Sequence, residues 1–359
     1  MVIAFLYINY GGGREYPDIS TSPHYNSDEL TWVFAYQEPI GNVAVSKDTT
    51  DAPRLFFTIH PESRPKENKL MEIVGNKAIP YPNTTYQQKF NTILGVYTDL
   101  QNRLWVIDHG NHSFDPVILT AFDLTTNKVI NEYAFPKNIA KKFSFFNDIS
   151  VSPDGKYVAI SNISFFGKKP GIVIYNIEKK ISKTQLEEHP SVTHEKYVPV
   201  TPIKKMRFFG IVDLLIGIDG IDFSRDGKYL YYAGMGHSGL FRIPTRIITD
   251  FSKTKTEITQ AIEFVAKKPL SDGIRTDTNG NTYITDIEHQ GIYVVTPDKK
   301  GFTLIKDKRI QWADGLTLSS SGVFYLADSN IPNQMLKSKD HIAEHAPYNI
   351  YKFNALPKE

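Results

Sequence analysis

The 359-residue chain contains no cysteine. This absence excludes structural disulfides, thiolate metal sites and a cysteine nucleophile. It does not identify the compartment, because a secreted bacterial protein can also fold without disulfides.

The sequence also lacks a large excess of positive or negative charge. Lysine and arginine total 41, against 39 aspartates and glutamates, and the densest basic pairs, Lys168-Lys169 and Lys204-Lys205, are short. Nucleic-acid binding requires a clustered basic face that neutralises phosphates. We therefore expect no nucleic-acid partner.

Long hydrophobic runs are lacking as well. The apolar stretch from Val2 to Ile8 is too short to cross a bilayer, and no other segment is apolar enough to do so. We treat residues 1–30 as an N-terminal segment, either the remnant of a signal peptide or a closing strand. No transmembrane segment is expected.

Three familiar catalytic signatures are absent. The chain has no Gly-x-Ser-x-Gly elbow and no His-Glu-x-x-His pair. Gly11–Gly13 does not lead from a strand into a helix, so a phosphate-binding loop is not expected there.

What the chain does contain is an internal repeat. A short strand, a turn built on Asp-Gly, Asn-Gly or Ser-Gly, and a β-rich run recur along it, a strong hairpin signal. The clearest copies begin at Asn147, Asp219, Asp272 and Asp314; a fifth begins at Leu94, and a looser sixth at Gly41. Antiparallel units recurring every ~40–70 residues are typical of propeller blades.

The repeats predict an all-β fold, a six-bladed β-propeller of four-stranded antiparallel blades. We assign residues 31–359 to this single propeller, with a long insertion near residues 186–215. Loops of that length are usually functional or disordered, and we expect this one to lie as a flap over one face.

Propeller topology predicts which side chains meet. The first strand of each blade lines the channel, so residues entering strand one lie on the same face as those leaving strand two. This face collects Asn147, Asp219, Asp272 and Asp314 at strand entries. It also collects candidate ligand-binding residues near strand exits and at the funnel edge, namely Asp108, His109, Asn162, His237, Asp286, Trp312 and Asp328. The alternative is that each aspartate only caps its local turn.

Several carboxylates in a narrow channel repel one another unless they are protonated or neutralised by a cation. Carboxylate and amide oxygens suit Ca²⁺, Mg²⁺ or Mn²⁺ rather than zinc. Histidines near the strand-two exits, including His289, are candidate proton shuttles. Asp272 and His289 are therefore the candidate catalytic residues.

Five stretches carry a family resemblance. Arg103–Gly110 is close to an "LWVxDxG" signature, Phe122–Leu124 follows it, and Gly171–Tyr175, Gly217–Phe223 and Trp312–Asn330 agree in order and spacing. The chain thereby resembles the major royal jelly protein/yellow family over about residues 38–335, although His109 replaces the usual small residue. The resemblance implies a six-bladed, typically secreted propeller. Members bind small amines or aromatics in the channel, and some are linked to dopachrome-type isomerisation.

The chain also looks like the wider SMP-30/gluconolactonase group of calcium-dependent hydrolases. That resemblance implies metal ligands at Glu38, Asn147, Asp219 and Asp272, although the sequence around Glu38 departs from the group's pattern.

Three functions remain open at this point. The first is a channel that binds a small cationic or aromatic ligand. The second is a metal-dependent lactonase or esterase-type hydrolase with Asp272 as general base. The third is a platform whose rim loops bind another protein. A secreted or periplasmic location is expected, with a cytoplasmic one as the alternative, and the oligomeric state is not encoded in any pattern we recognise.

Overall fold

The computed structural model describes residues 2–47 and 53–358. Within these ranges, six four-stranded antiparallel sheets and one two-stranded sheet account for the strands. The predicted six-bladed β-propeller with four-stranded blades is confirmed.

Five blades are continuous in sequence, with each new strand added outside the previous one. Strands are numbered in chain order, and β1 (Thr31–Tyr36) precedes the first of these blades. Blade 1 contains β2 (Ile40–Val45), β3 (Leu55–Ile59), β4 (Leu70–Val74) and β5 (Lys77–Pro80). Blade 2 contains β6 (Ile93–Thr98), β7 (Arg103–Asp108), β8 (Ile118–Asp123) and β9 (Lys128–Ala134). Blade 3 contains β10 (Phe146–Val151), β11 (Tyr157–Asn162), β12 (Gly171–Asn176) and β13 (Ile181–Glu187).

The insertion separates blades 3 and 4 and contains a small hairpin of β14 (Arg207–Phe208) and β15 (Val212–Asp213). Blade 4 contains β16 (Ile218–Phe223), β17 (Tyr229–Gly234), β18 (Gly239–Pro244) and β19 (Glu263–Lys267). Blade 5 contains β20 (Ile274–Thr276), β21 (Thr282–Asp286), β22 (Gly291–Val295) and β23 (Gly301–Lys306).

The sixth blade joins the two ends of the ring. Its inner strands are β24 (Ala313–Leu318), β25 (Val323–Asp328) and β26 (Tyr348–Asn354), and β1 supplies the outer strand. Thr31 lies opposite Lys352, and Tyr36 lies opposite Tyr348. Because β1 hydrogen-bonds to the last strand, the ring closes without an unpaired seam between its first and last blades.

Helices are few and short. They are α1 (Val2–Tyr10), α2 (Gly110–Ser113), α3 (Thr245–Ile248), α4 (Lys255–Gln260) and α5 (Lys339–Glu344). Residues 2–10, part of the N-terminal segment, therefore form a helix, and the strand that closes the ring begins at Thr31. No helix of the described chain is long and apolar enough to cross a membrane.

The core lies in layers between neighbouring blades. Between blades 2 and 3, for example, Trp105 is fully buried against Ile149, Val173 and Tyr175. Alternating strand residues face the two adjacent blades, so every blade is packed on both sides.

In every blade a two-residue pair lies at or just before the start of the inner strand. In five blades the pairing of the first two strands shifts here, for example between Ile40 and Val43 and between Phe146 and Ile149. The six pairs are Gly41-Asn42, Leu94-Gly95, Asn147-Asp148, Asp219-Gly220, Asp272-Gly273 and Asp314-Gly315. A bulge of this kind re-aims a side chain, here that of Leu94, Asn147, Asp219 or Asp314.

Glycine at the second position of a pair allows adjacent blades to meet. A Cβ added to Gly95 would lie 2.0 Å from the carbonyl oxygen of Asn147, and one added to Gly273 would lie 2.5 Å from that of Asp314. The obstacle is backbone in both cases, so rotating a side chain cannot relieve it. The inner strands therefore touch at the waist of the channel.

Gly95→Ala is expected to lower the free energy of unfolding by about 1–3 kcal/mol, because blades 2 and 3 must separate locally to admit the methyl group. Chemical denaturation of both proteins measures the difference. Gly167→Ala is the matched control, since its nearest obstacle is the side-chain hydroxyl of Ser164 rather than backbone. Equal stabilities of the two variants would contradict the close approach described here.

Candidate functional site

A small cavity of about 70 Å³ lies where the inner strands converge. Five of the six blades contribute the first residue of their strand-entry pair to its lining: Leu94, Asn147, Asp219, Asp272 and Asp314. The topology thus brings together the four polar strand-entry residues identified from the repeats. We refer to these five residues as the entry ring.

Blade 1 fills its sector differently. Its entry residue is Gly41, and the cavity is lined there by His60 and Glu62, which follow β3. His60 occupies the first position after strand two, the same position as His109 in blade 2. Sequence analysis missed His60 and Glu62, although aligning the loose first repeat with the second would have placed His60.

The cavity is roofed by apolar side chains. They come from loops after strand two of several blades, from the residue preceding β10, and from the insertion: Phe145, Ile163, Leu214, Ile216, Met235, Ile331 and Met335. Leu214 and Ile216 place the end of the insertion over the mouth of the channel. The N-terminal segment joins this cover, because Tyr16 packs in the same cluster.

Two hydrogen bonds organise the acidic half of the entry ring. Asn147 Nδ2 donates to Asp219 Oδ1 at 2.5 Å, and Trp312 Nε1 donates to Asp272 Oδ2 at 2.6 Å. Trp312 therefore edges the cavity, and its indole orients the Asp272 carboxyl.

Burial dominates the protonation of these carboxyls. Burial, aided by the charge of Asp148 and opposed by the hydrogen bond from Trp312, raises the pKa of Asp272 to about 7. Burial, followed by the charge of Asp272, raises the pKa of Asp219 and of Asp314 well above the ordinary range. Within the described chain, neither lysine nor arginine forms an ion pair with these three side chains.

Beneath the ring, Asp148 is held by the protein itself. Its Oδ1 accepts from the Ile149 backbone N–H at 3.0 Å and from Asn42 Nδ2 at 3.4 Å. Burial raises the pKa of Asp148 to about 6, while the positive charge of Arg275 opposes that rise. Asp148 is therefore part of the support under the cavity.

Two buried oxygens at the cavity find no hydrogen-bond partner among the described residues: Asn147 Oδ1 and Asp314 Oδ2. Such orphan acceptors are uncommon in folded proteins and point to a missing donor or cation. His60 Nε2 lies 3.8 Å from Asp314 Oδ2, beyond hydrogen-bond distance.

The hydrogen bond at Nδ1 identifies the tautomer of His60. Nδ1 accepts the Glu62 backbone N–H at 3.1 Å, so the ring proton resides on Nε2. Burial lowers the pKa of His60 to about 3, which keeps the ring neutral. His60 therefore offers an N–H donor at the cavity.

Three predicted ligand-binding residues bond the backbone of their own blade. Asp108 accepts the N–H groups of Asn91 and Thr92, and Asp328 accepts those of Gln311 and Trp312. Asn162 Oδ1 accepts the N–H of Phe145. In each case the last residue of strand two fixes the chain entering strand one. None of the three lines the cavity.

The remaining candidates also lie outside the cavity lining. His109 Nδ1 accepts the His112 N–H, and its ring packs against Phe145 with centroids 4.2 Å apart. His237 Nδ1 accepts the Gly239 N–H and lies 3.4 Å from Glu195.

Both ring nitrogens of His289 lie close to a carboxylate. Its Nδ1 lies 3.0 Å from Asp286, and its Nε2 lies 3.3 Å from Asp18. The hydrogen bond to Asp286 raises the pKa of His289. Glu38 is half-buried on the loop after β1, where burial raises its pKa and the charge of Lys339 opposes that rise.

The described side chains around the cavity do not form a complete binding site for a divalent cation. In the portion of the chain described, no three histidine or carboxylate side chains converge closely enough to hold one. The orphan oxygens of Asn147 and Asp314 are chemically suitable ligands for a hard cation. A complete cage would require the side chains to move.

A family model described as major royal jelly protein matches residues 92–354, well over half of the chain. No curated protein has a matching sequence. Solved structures of similar fold include a gluconolactonase from Xanthomonas campestris, 13% identical, with 95% of this chain and 97% of that one covered and a TM-score of 0.55.

A putative gluconolactonase is 12% identical, with 97% of this chain and 94% of that one covered and a TM-score of 0.55. The calcium-binding protein regucalcin from Agrobacterium tumefaciens is 11% identical, with 91% and 98% covered and a TM-score of 0.55. At such identities these likenesses confirm the fold alone.

The buried carboxyls make stability depend on pH. The pKa of Asp272 is raised from 3.8 to about 7, so the folded protein keeps a proton that the unfolded chain releases. The free energy of unfolding should therefore fall as pH rises from about 4 to about 7, by up to about 1.4 kcal/mol per pH unit for one such group. Calorimetric melting across this range measures it.

Asp272→Asn should flatten that slope, whereas Asp340→Asn, an exposed carboxyl on α5, should leave it unchanged. A slope that is identical in all three proteins would contradict the burial of a protonatable group at Asp272.

Proposed function

Because the chain belongs to the major royal jelly protein family, we propose that it binds a small cationic molecule, with the charged end held by the entry ring. The observation that carries this proposal is the acidic half-ring of Asp219, Asp272 and Asp314, buried together without an ion-pairing lysine or arginine in the described chain. This family assignment favours the ligand-binding channel over the hydrolase alternative.

The electrostatic argument concerns what neutralises these carboxyls. Without a ligand, burial and mutual repulsion are relieved by protonation, which is why their pKa values are raised. A protonated amine would replace the protons, let the carboxyls ionise and donate hydrogen bonds to them. The orphan Asp314 Oδ2 supplies one acceptor for such an amine.

The roof indicates the rest of the ligand. Above the acidic floor, the lining is apolar and includes the aromatic rings of Phe145 and Trp312. An apolar or aromatic body on the amine would contact these side chains. A space of about 70 Å³ is much smaller than typical ligand pockets, so the loops carrying Leu214, Ile331 and Met335 must move to admit the ligand.

A second candidate is a cation-dependent hydrolase. The specific support is the orphan Asn147 Oδ1, which together with Asp219 and Asp314 would supply oxygen ligands to Ca²⁺, Mg²⁺ or Mn²⁺. When bound, such a cation polarises a carbonyl oxygen and activates water. Asp272, held by Trp312, would act as general base. His289 has no contact with this cavity, and we assign it no step.

We also propose a secreted or periplasmic location, as is typical of this family. Fractionation of the source cells tests it, and protein confined to the cytoplasm would contradict it.

Phenethylamine should bind the protein, while its neutral isostere 2-phenylethanol should bind at least about tenfold more weakly, because only the amine neutralises the carboxyls. Isothermal titration calorimetry at pH 8 measures both affinities. Asp219→Asn should weaken amine binding by about tenfold, whereas Asp108→Asn, a carboxyl outside the cavity, should not. Equal binding of amine and alcohol would contradict the proposal.

Calcium titration separates the second candidate. If the hydrolase proposal holds, CaCl₂ raises the melting temperature and supports hydrolysis of aldonolactones that is lost in Asp272→Ala. An absence of both effects excludes it. A protein that binds neither amine nor cation would leave the interaction platform as the remaining hypothesis.

A further inference from the structure

The N-terminal helix α1 is apolar on all sides and exposed. It contains no charged residue, and Ile3, Phe5 and Ile8 are 69%, 61% and 78% exposed. A helix that is apolar all round is normally buried in a protein core or in lipid. In the described chain, only part of α1, including Leu6 and Tyr10, is half-buried, and the rest has neither kind of cover.

Further exposed aromatic residues lie beside α1. The turn between β14 and β15 carries Phe209, which is 84% exposed and has a positive φ, unusual for a bulky side chain. The hairpin and the N-terminal segment are joined, because Gly13 N donates to Asp213 Oδ2 at 2.7 Å. On the other side, Tyr10 contacts Phe166, which is 52% exposed.

We call α1, Phe166 and Phe209 the α1 surface. The segments that form and flank it, residues 9–16, 164–169 and 203–213, contain six basic and two acidic residues. Lys168 is fixed there by Asn9, with Nζ 2.6 Å from Oδ1, and lies over the ring of Tyr10. The α1 surface is thus apolar with a basic margin.

We propose that the α1 surface docks onto an anionic lipid bilayer. Lipid solvates a helix from every side, as this apolar helix requires, and the basic margin complements anionic headgroups. Nine residues form a helix about 14 Å long, which reaches into one leaflet but does not span the ~30 Å hydrocarbon core. The roofed mouth of the channel lies on the same side, since residues 11–16 lead from α1 into its cover.

Vesicle sedimentation with the full chain, its mass verified, tests the proposal. The protein should co-sediment with vesicles of phosphatidylcholine and phosphatidylglycerol, bind pure phosphatidylcholine more weakly, and lose the difference at high salt. Phe209→Ser should lower the partition coefficient by about tenfold. The matched control is Phe264→Ser, a 53% exposed phenylalanine on blade 4, which should change nothing.

A fluorescence measurement reports insertion directly. Trp105 and Trp312 are buried, and Trp32 is exposed, so Phe209→Trp in a Trp32→Phe background places a probe at the hairpin tip. Brominated phospholipid should quench its emission. Absence of binding, equal loss in Phe264→Ser, or an unquenched probe would overturn the proposal. So would light scattering that shows lipid-independent dimers abolished by Phe209→Ser, because the partner would then be a second copy.

Discussion

The close approach of six inner strands at the axis is the constraint on which the rest of the structure depends. Adjacent blades meet there through backbone, as at Gly95 and Asn147. A side chain therefore does not fit at the second position of most of the strand-entry pairs. The strand pairing shifts at this pair in five of the six blades, and the first residue of five pairs lines the cavity. Packing between blades thus gathers entry-ring residues that are far apart in the sequence, as Leu94 and Asp314 are, in one lining.

That geometry has an electrostatic cost. Carboxyls placed at Asp219, Asp272 and Asp314 lose their water because the strands close around them and the apolar loops cover them. Their raised pKa values follow first from this desolvation and, for Asp219 and Asp314, next from the charge of Asp272. If the channel binds a cation as proposed, the ring is destabilised at neutral pH until that cation enters, and ligand affinity and instability then have the same physical origin.

Much of this could be predicted from the sequence, because hairpin turns and a repeat are local signals. The repeats predicted the blade number, the strand pairing and the convergence of Asn147, Asp219, Asp272 and Asp314. They could not distinguish Asp108 or Asp328 from the entry-ring residues, since both kinds of aspartate lie near the end of a strand. Only the direction of the side chain shows whether an aspartate caps the backbone or lines the cavity. The apolar roof of the cavity could not be predicted either, because in the sequence residues such as Ile216 and Met335 resemble any other core residue.

The residues of blade 1 are the main reason to prefer one of the two candidate ligands, an amine or a divalent cation, over the other. A hard cation prefers oxygen donors around it, yet this sector presents the neutral His60, whose Nδ1 lone pair is already used by the Glu62 N–H. With its proton on Nε2, His60 can donate a hydrogen bond to a ligand but has no free lone pair with which to coordinate a metal. Leu94 in the neighbouring sector supplies no ligand atom at all. The ring is therefore acidic on one side and donating or apolar on the other, which fits an elongated amine better than a spherical ion.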